Sequence, residues 1–138
     1  MPTTIESELR GAGLRVTKGR IALINALATA PHSDAETLTR MLSTTHPGTS
    51  VQSVHNILGD LTAAGILRRI EPAGSPARYE RSRGDNHHHL VCTSCGAITD
   101  VACASGEAPC LAPSDTAGYA VHTAEVTFWG VCPICATP

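Results

Sequence analysis

Cys92-Thr-Ser-Cys95 and Cys132-Pro-Ile-Cys135 form two Cys-x-x-Cys pairs separated by 36 residues. Each pair can turn two thiolates toward one metal ion, and two pairs complete a tetrahedral, all-thiolate zinc site. One pair alone could be a redox dithiol; two favour structural zinc. Such a site fastens the end of a strand to the C-terminal residues and makes metal binding part of folding. Directly upstream stands Asn86-His-His-His89. On a strand, His87 and His89 share a face while His88 points away, so alternate imidazoles can chelate one ion. Glu80 and Asp100 lie nearby as carboxylates. Imidazole and carboxylate ligands suit Fe(II), Mn(II) or Zn(II), unlike an all-thiolate site. The residue types thus imply one locking metal and one exchangeable metal. Cys103 and Cys110 remain outside both sets. They are either a redox pair, which requires an exposed thiolate, or small buried residues in a loop.

The 138 residues that must position these groups are split chemically. All ten basic residues fall between Arg10 and Arg83; with seven acids up to Arg83, residues 1–83 carry a net charge of +3. From Gly84 onward there are five acids, no Lys or Arg, all six cysteines and four of the seven histidines. The overall charge of -2 excludes a uniformly basic nucleic-acid coat, yet the first half can carry a basic patch. A hydrophobic share of 42% with 16% charged residues excludes a disordered chain. Aromatic residues make up only 3%, so Leu, Ile, Val and Ala must build the core. No apolar run approaches the roughly 20 residues of a membrane span. The N-terminus lacks the basic start and apolar stretch of a signal peptide. A cytoplasmic protein without membrane association is therefore expected, where cysteines bind metal more often than they form disulfides.

The first half reads as helices followed by a ribbon. Ile5 to Gly13 is a short amphipathic segment. Thr17 caps a second helix through Ile21, Leu23, Ile24 and Leu27, stopped by Pro31. Ser33-Asp-Ala-Glu36 reads as a capping box opening a third helix through Leu38, Met41 and Leu42. Ser50 caps a fourth, which runs to Ala64 and stops at Gly65. Its apolar face is Val51, Val54, Ile57, Leu58 and Leu61, while Gln52, Ser53, His55 and Asn56 lie opposite. Uncharged amides and hydroxyls at a helix N-terminus suit the DNA major groove, where amides pair with adenine. Ile66–Ile70 and Ala77–Glu80 then flank a Pro- and Gly-containing turn as a basic hairpin. Three helices and a ribbon make a winged helix, and Arg15, Lys18 and Arg20 are placed to clamp phosphates. Beyond Cys95, Ala97–Val101 and Tyr119–Val131 are expected as strands of a small sheet.

Five segments together resemble the ferric-uptake-regulator family of metal-dependent repressors over nearly the whole chain. They are Gly13-Leu-Arg-Val-Thr17 with Arg20, Ser50-Val-Gln-Ser-Val-His-Asn-Ile-Leu58, Gly65-Ile-Leu67, His87-His-His-Leu-Val-Cys-Thr-Ser-Cys-Gly96 and Gly130-Val-Cys-Pro-Ile-Cys135. The resemblance implies an α+β fold: a winged-helix DNA-binding domain over residues 1–83 and an α/β dimerisation domain over 84–138. It implies structural zinc on Cys92, Cys95, Cys132 and Cys135, and a regulatory Fe(II) or Mn(II) at the hinge on His32, Glu80, His87, His89 and Asp100. It implies a homodimer on operator DNA, contacted through Arg15, Lys18, Arg20, Ser50, Gln52, Ser53, His55 and Asn56. Pro72–Tyr79, Gly84–His89 and Cys103–Cys110 are similar to the family's peroxide-sensing branch, which controls catalase genes in actinobacteria. There, Fe(II) reacts with peroxide and oxidises a histidine ligand, matching His32 and His89, while Mn(II) represses without reacting. Glu80 departs from that branch toward iron-sensing members, and His55 stands where the family usually has a DNA-contacting tyrosine. A repressor answering to iron or another divalent metal is the alternative. A thiol-based redox enzyme using Cys103 and Cys110 is the remote one; the expectation is a regulator, not an enzyme.

Overall fold

Side-chain oxygens open each longer helix by accepting an N–H that the helix itself leaves unpaired. In the computed structural model, which describes residues 4–82, 87–101, 114–121 and 124–137, Thr4 caps α1 (Ile5–Gly11) and Thr17 caps α2 (Lys18–Thr29). The chain divides into two compact units, Met1–Arg83 and Gly84–Pro138.

In the first unit, α2 leads to a two-residue strand β1 (Ser33–Asp34) and then α3 (Ala35–Ser43). The cap of α3 differs from the expected capping box: Asp34, not Ser33, accepts the N–H of Thr37, at 2.7 Å. Ser33 has other partners, because its hydroxyl donates to the Ala30 carbonyl at 2.7 Å and its backbone joins a sheet. Burial acts to raise the Asp34 pKa, but the Thr37 hydrogen bonds and the charges of Arg78 and Arg40 together hold it below the ordinary value. Helix α4 (Val51–Ala63) is capped by Ser50 and ends before Gly65, whose φ of 78° suits a residue without Cβ. Strands β2 (Leu67–Ile70) and β3 (Arg78–Arg81) pair antiparallel as the expected hairpin. Strand β1 pairs with the other edge of β3, giving the order β1-β3-β2.

The core of this unit is aliphatic, with Leu9, Leu23, Ile24, Leu38, Leu58 and Leu61 fully buried. Val54 joins them and Ile57 packs against them, but Val51 stays 46% exposed on the first turn of α4. The apolar face expected of α4 is therefore one residue shorter at its start.

The described residues of the second unit form a three-stranded sheet followed by a single helical turn. Strand β4 (His88–Cys92) pairs antiparallel with β5 (Ile98–Val101) and parallel with β6 (Thr127–Gly130). The last strand is shorter than Tyr119–Val131, because its partner β4 offers only the register from His89↔Thr127 to Cys92↔Gly130. The turn α5 (Pro133–Ala136) follows Cys132 directly.

Removing the Leu58 side chain to Cβ leaves a cavity within the first unit's core. Leu58→Ala is expected to lower unfolding stability by about 3 kcal/mol in urea titration. Val51→Ala, on the exposed side of the same helix, should stay within about 0.5 kcal/mol.

Candidate metal centres and nucleic-acid interface

The four cysteines reach one point from two pieces of chain. Cys92 ends β4, Cys95 lies in the turn that follows, and Cys132 and Cys135 flank the start and third residue of α5. Their sulfurs all lie within 4.8 Å of one another, with Cys95 Sγ and Cys132 Sγ 3.8 Å apart. A tetrahedron of zinc–sulfur bonds of about 2.3 Å has sulfur–sulfur edges of about 3.8 Å, so the spacing fits one ion. The N–H groups of Cys132 and Cys95 donate to Cys92 Sγ at 3.3 and 3.4 Å. These bonds favour the thiolate and bring the Cys92 pKa down to about 6. Thiol hydrogen bonds from Cys132 and Cys95 push Cys135 up to about 12. Metal binding near neutral pH must therefore displace a proton from Cys135, and below about pH 6 protons compete with metal at Cys92.

Imidazoles and carboxylates converge separately in each unit. In the first, β1–β3 pairing brings His32, just before β1, beside Glu80 on β3, with Nε2 3.1 Å from Oε2. Glu80 is buried and His32 largely so. His32 has a φ of 67°, a left-handed conformation that costs a non-glycine residue roughly 1–2 kcal/mol. Its N–H donates to the Tyr79 carbonyl at 2.9 Å, and its own carbonyl accepts from Arg78 Nη1 at 3.2 Å. The resemblance pointed to His32, but its backbone conformation and the Arg78 contact had no local signal, since both depend on a strand 46 positions away.

In the second unit, His87 and His89 lie on one face, with ring centroids 4.9 Å apart. Their Nε2 atoms stand 3.7 and 3.4 Å from Asp100 Oδ1, because β4 and β5 pair His89 with Asp100. His88 is on the other face as alternation requires; it is buried there and its Nδ1 accepts the Val126 N–H at 3.3 Å. Metal–ligand bonds of about 2.1 Å place neighbouring ligand atoms about 3 Å apart, so each group has the spacing of part of a coordination shell. Cys103 and Cys110 lie outside the described residues.

The exposed start of α4 carries Gln52, Ser53, His55 and Asn56, with Ser50 at its cap. Gln52 Nε2 donates to Asn56 Oδ1 at 3.0 Å, one helical turn on, leaving an amide oxygen and an amide NH2 directed outward as a linked pair. Arg15 and Lys18 are exposed, whereas Arg20 is engaged. Its guanidinium donates to the Arg15 carbonyl at 2.7 Å and to Asp60 Oδ2 at 3.2 Å, which joins α2 to α4.

Residues 11–129 match the model of the ferric uptake regulator family. The chain belongs to that family. The transcriptional regulator FurA of Mycobacterium tuberculosis is 52% identical over 129 residues, covering 94% of this chain and 88% of its own. Ferric uptake regulation protein 2 of Mycolicibacterium fortuitum is 47% identical over 141 residues, covering 99% and 97%. The structure of the Helicobacter pylori ferric uptake regulator, described as revealing three functional metal binding sites, superposes with a TM-score of 0.73. It shares 21% identity and covers 100% of this chain and 99% of its own. The α+β fold is thus the ferric uptake regulator one, a winged-helix DNA-binding domain followed by an α/β dimerisation domain. The chain is a metal-dependent transcriptional regulator and not an enzyme. No helix among the described residues is long and apolar enough to cross a membrane.

Cys132→Ser removes one of the four converging thiolates. The variant is expected to lose its tightly bound metal by elemental analysis, and to unfold at a lower temperature than the parent. A Cys132→Ser protein with full metal content and unchanged melting would contradict the four-thiolate site.

Proposed function

We propose that the chain is a homodimeric repressor whose operator affinity is set by one Fe(II) or Mn(II) held by His32, Glu80, His87, His89 and Asp100, and that peroxide is its signal. The observation that carries this reading is the presence of an imidazole–carboxylate group in each unit, built mainly from buried side chains. The His32–Glu80 pair supplies too few donors by itself, and His87, His89 and Asp100 supply three, which leaves room in the shell of a first-row divalent ion for further ligands. Together they supply nitrogen and oxygen ligands suited to Fe(II) or Mn(II), distinct from the thiolates that suit structural zinc. A metal shared by the two units ties the angle between them to occupancy, and a few kcal/mol of differential affinity is enough to shift such a two-state population. Fe(II) held by these residues would supply the redox chemistry that splits the peroxide O–O bond, so that one oxygen adds to the imidazole of His32 or His89 and the other leaves as water. Loss of either ligand would release the operators of catalase and other antioxidant genes.

On DNA, the exposed Arg15 and Lys18 would meet phosphates. Arg20 would act there while anchoring α4 through Asp60. Ser50, Gln52, Ser53, His55 and Asn56 face the major groove in this reading, and the outward oxygen and NH2 of the Gln52–Asn56 pair complement adenine N6 and N7. The second copy of the chain covers the exposed apolar residues of the sheet, where Leu90 and Phe128 stand side by side in β4 and β6. A second reading, with iron or another divalent metal as the signal, is favoured by Glu80 at the metal group and by the name of the Mycolicibacterium fortuitum relative.

Two measurements test these readings. Operator binding at fixed salt should be stimulated by Mn(II) in the parent and lost in His89→Ala, with zinc content unchanged. Peroxide added to the Fe(II) form should add oxygen to His32 or His89 by peptide mass spectrometry, with no such change in the Mn(II) form. Oxidation confined to Cys103 or Cys110 would point to thiol sensing, and no oxidation at any residue would favour the metal-responsive reading.

A further inference from the structure

We infer that Arg78 is a positioning residue that holds His32 ready for metal binding and ties this ligand to the turn between β2 and β3. The inference rests on the reading of His32 as a ligand. His32 sits at a φ of 67°, a region sparsely populated by residues with a Cβ, so neighbouring groups must hold it there. Both of its backbone polar groups are engaged by β3. The N–H donates to Tyr79, and the carbonyl accepts from Arg78 Nη1 at 3.2 Å. The Tyr79 bond is backbone to backbone and uses neither side chain; the Arg78 bond depends on one side chain.

Arg78 makes a second bond that enlarges its role. Its Nε donates to Ser75 Oγ at 3.1 Å, in the turn at the tip of the hairpin. The guanidinium is a rigid planar fork, so fixing one donor on Ser75 fixes the direction of the other toward His32. Asp34, the register partner of Arg78 across β1–β3, supplies the opposing charge. Arg78 also shares a face of β3 with Glu80, two residues on. One side chain therefore touches the backbone of one ligand, neighbours the second along the strand, and holds the hairpin turn. Because linkage is reciprocal, whatever seats that turn also favours the metal-binding form of His32.

The test uses the full-length, zinc-loaded protein. Mn(II) affinity is measured by electron paramagnetic resonance of the free ion, and ligand geometry by the visible absorption of bound Co(II). Arg78→Ala is expected to weaken Mn(II) binding by about 10–100-fold, the range typical of residues that orient a ligand. Its Co(II) bands should shift, and the loss of Mn(II) affinity should persist at temperatures well below its metal-free melting temperature, where the protein is fully folded. Arg78→Lys, which keeps the charge but can engage only one acceptor well, should fall between Arg78→Ala and the parent. If Arg78→Ala does not fold, the Lys variant decides, and parent-like affinity and Co(II) bands in it overturn the inference. Parent-like Mn(II) affinity in Arg78→Ala, with affinity lost in His32→Ala, overturns it while leaving His32 as a ligand. Unchanged affinity in His32→Ala removes the ligand reading and this inference with it.

Discussion

The sheet of the second unit buries only Val91 and Cys92 among its described apolar side chains, while Leu90, Phe128, Trp129 and Ile134 remain exposed. Apolar burial is the main favourable contribution to folding, and the described residues of these three short strands supply little of it. The converging thiols answer this shortage. A metal ion on Cys92, Cys95, Cys132 and Cys135 would join β4 to α5 and the end of β6 with bonds that do not need a core. Among the described residues, β5 and β6 both pair with β4, and His87 and His89 lie at its start.

The first unit is built on the opposite principle. Its leucines and isoleucines close a core among α1 to α4 and the hairpin, so its surface is free to carry polar groups. That rigid support matters twice. It presents the start of α4 with its side chains outward, and it holds β3 so that Tyr79 faces the core while Glu80 meets His32. Arg81 Nη2 donates to both carboxylate oxygens of Glu8, at 2.7 and 2.9 Å, which ties α1 to the same strand. Strand β3 is therefore the element on which the core, the His32–Glu80 pair and the hairpin meet.

Much of this was legible in the chain itself. The caps at Thr17 and Ser50, the stop at Gly65 and the β2–β3 hairpin follow from interactions a few residues long, and they stand where the pattern placed them. The Cys-x-x-Cys spacing and the alternation of His87 and His89 are equally local. Ser33 shows the limit. By type it is as good a cap as Asp34, but its hydroxyl was taken by Ala30 and its backbone by Tyr79, and Asp34 became the cap. The last strand shows another, since the length of β6 is bounded by the five residues of its partner rather than by its own composition.

The sequence by itself determined the donor types, their spacing within each segment and the helices that carry the outward polar face. These depend on bonds between residues three or four apart and on the alternation of a strand. The tertiary structure decided which donors meet. His32 meets Glu80, and is held in a left-handed backbone by Arg78, only because β1 joins the free edge of β3. Cys132 meets Cys95 only because β6 runs parallel to β4. Such pairings are chosen by competition among distant partners for the same hydrogen bonds and the same buried space, and no local stretch of chain contains that competition.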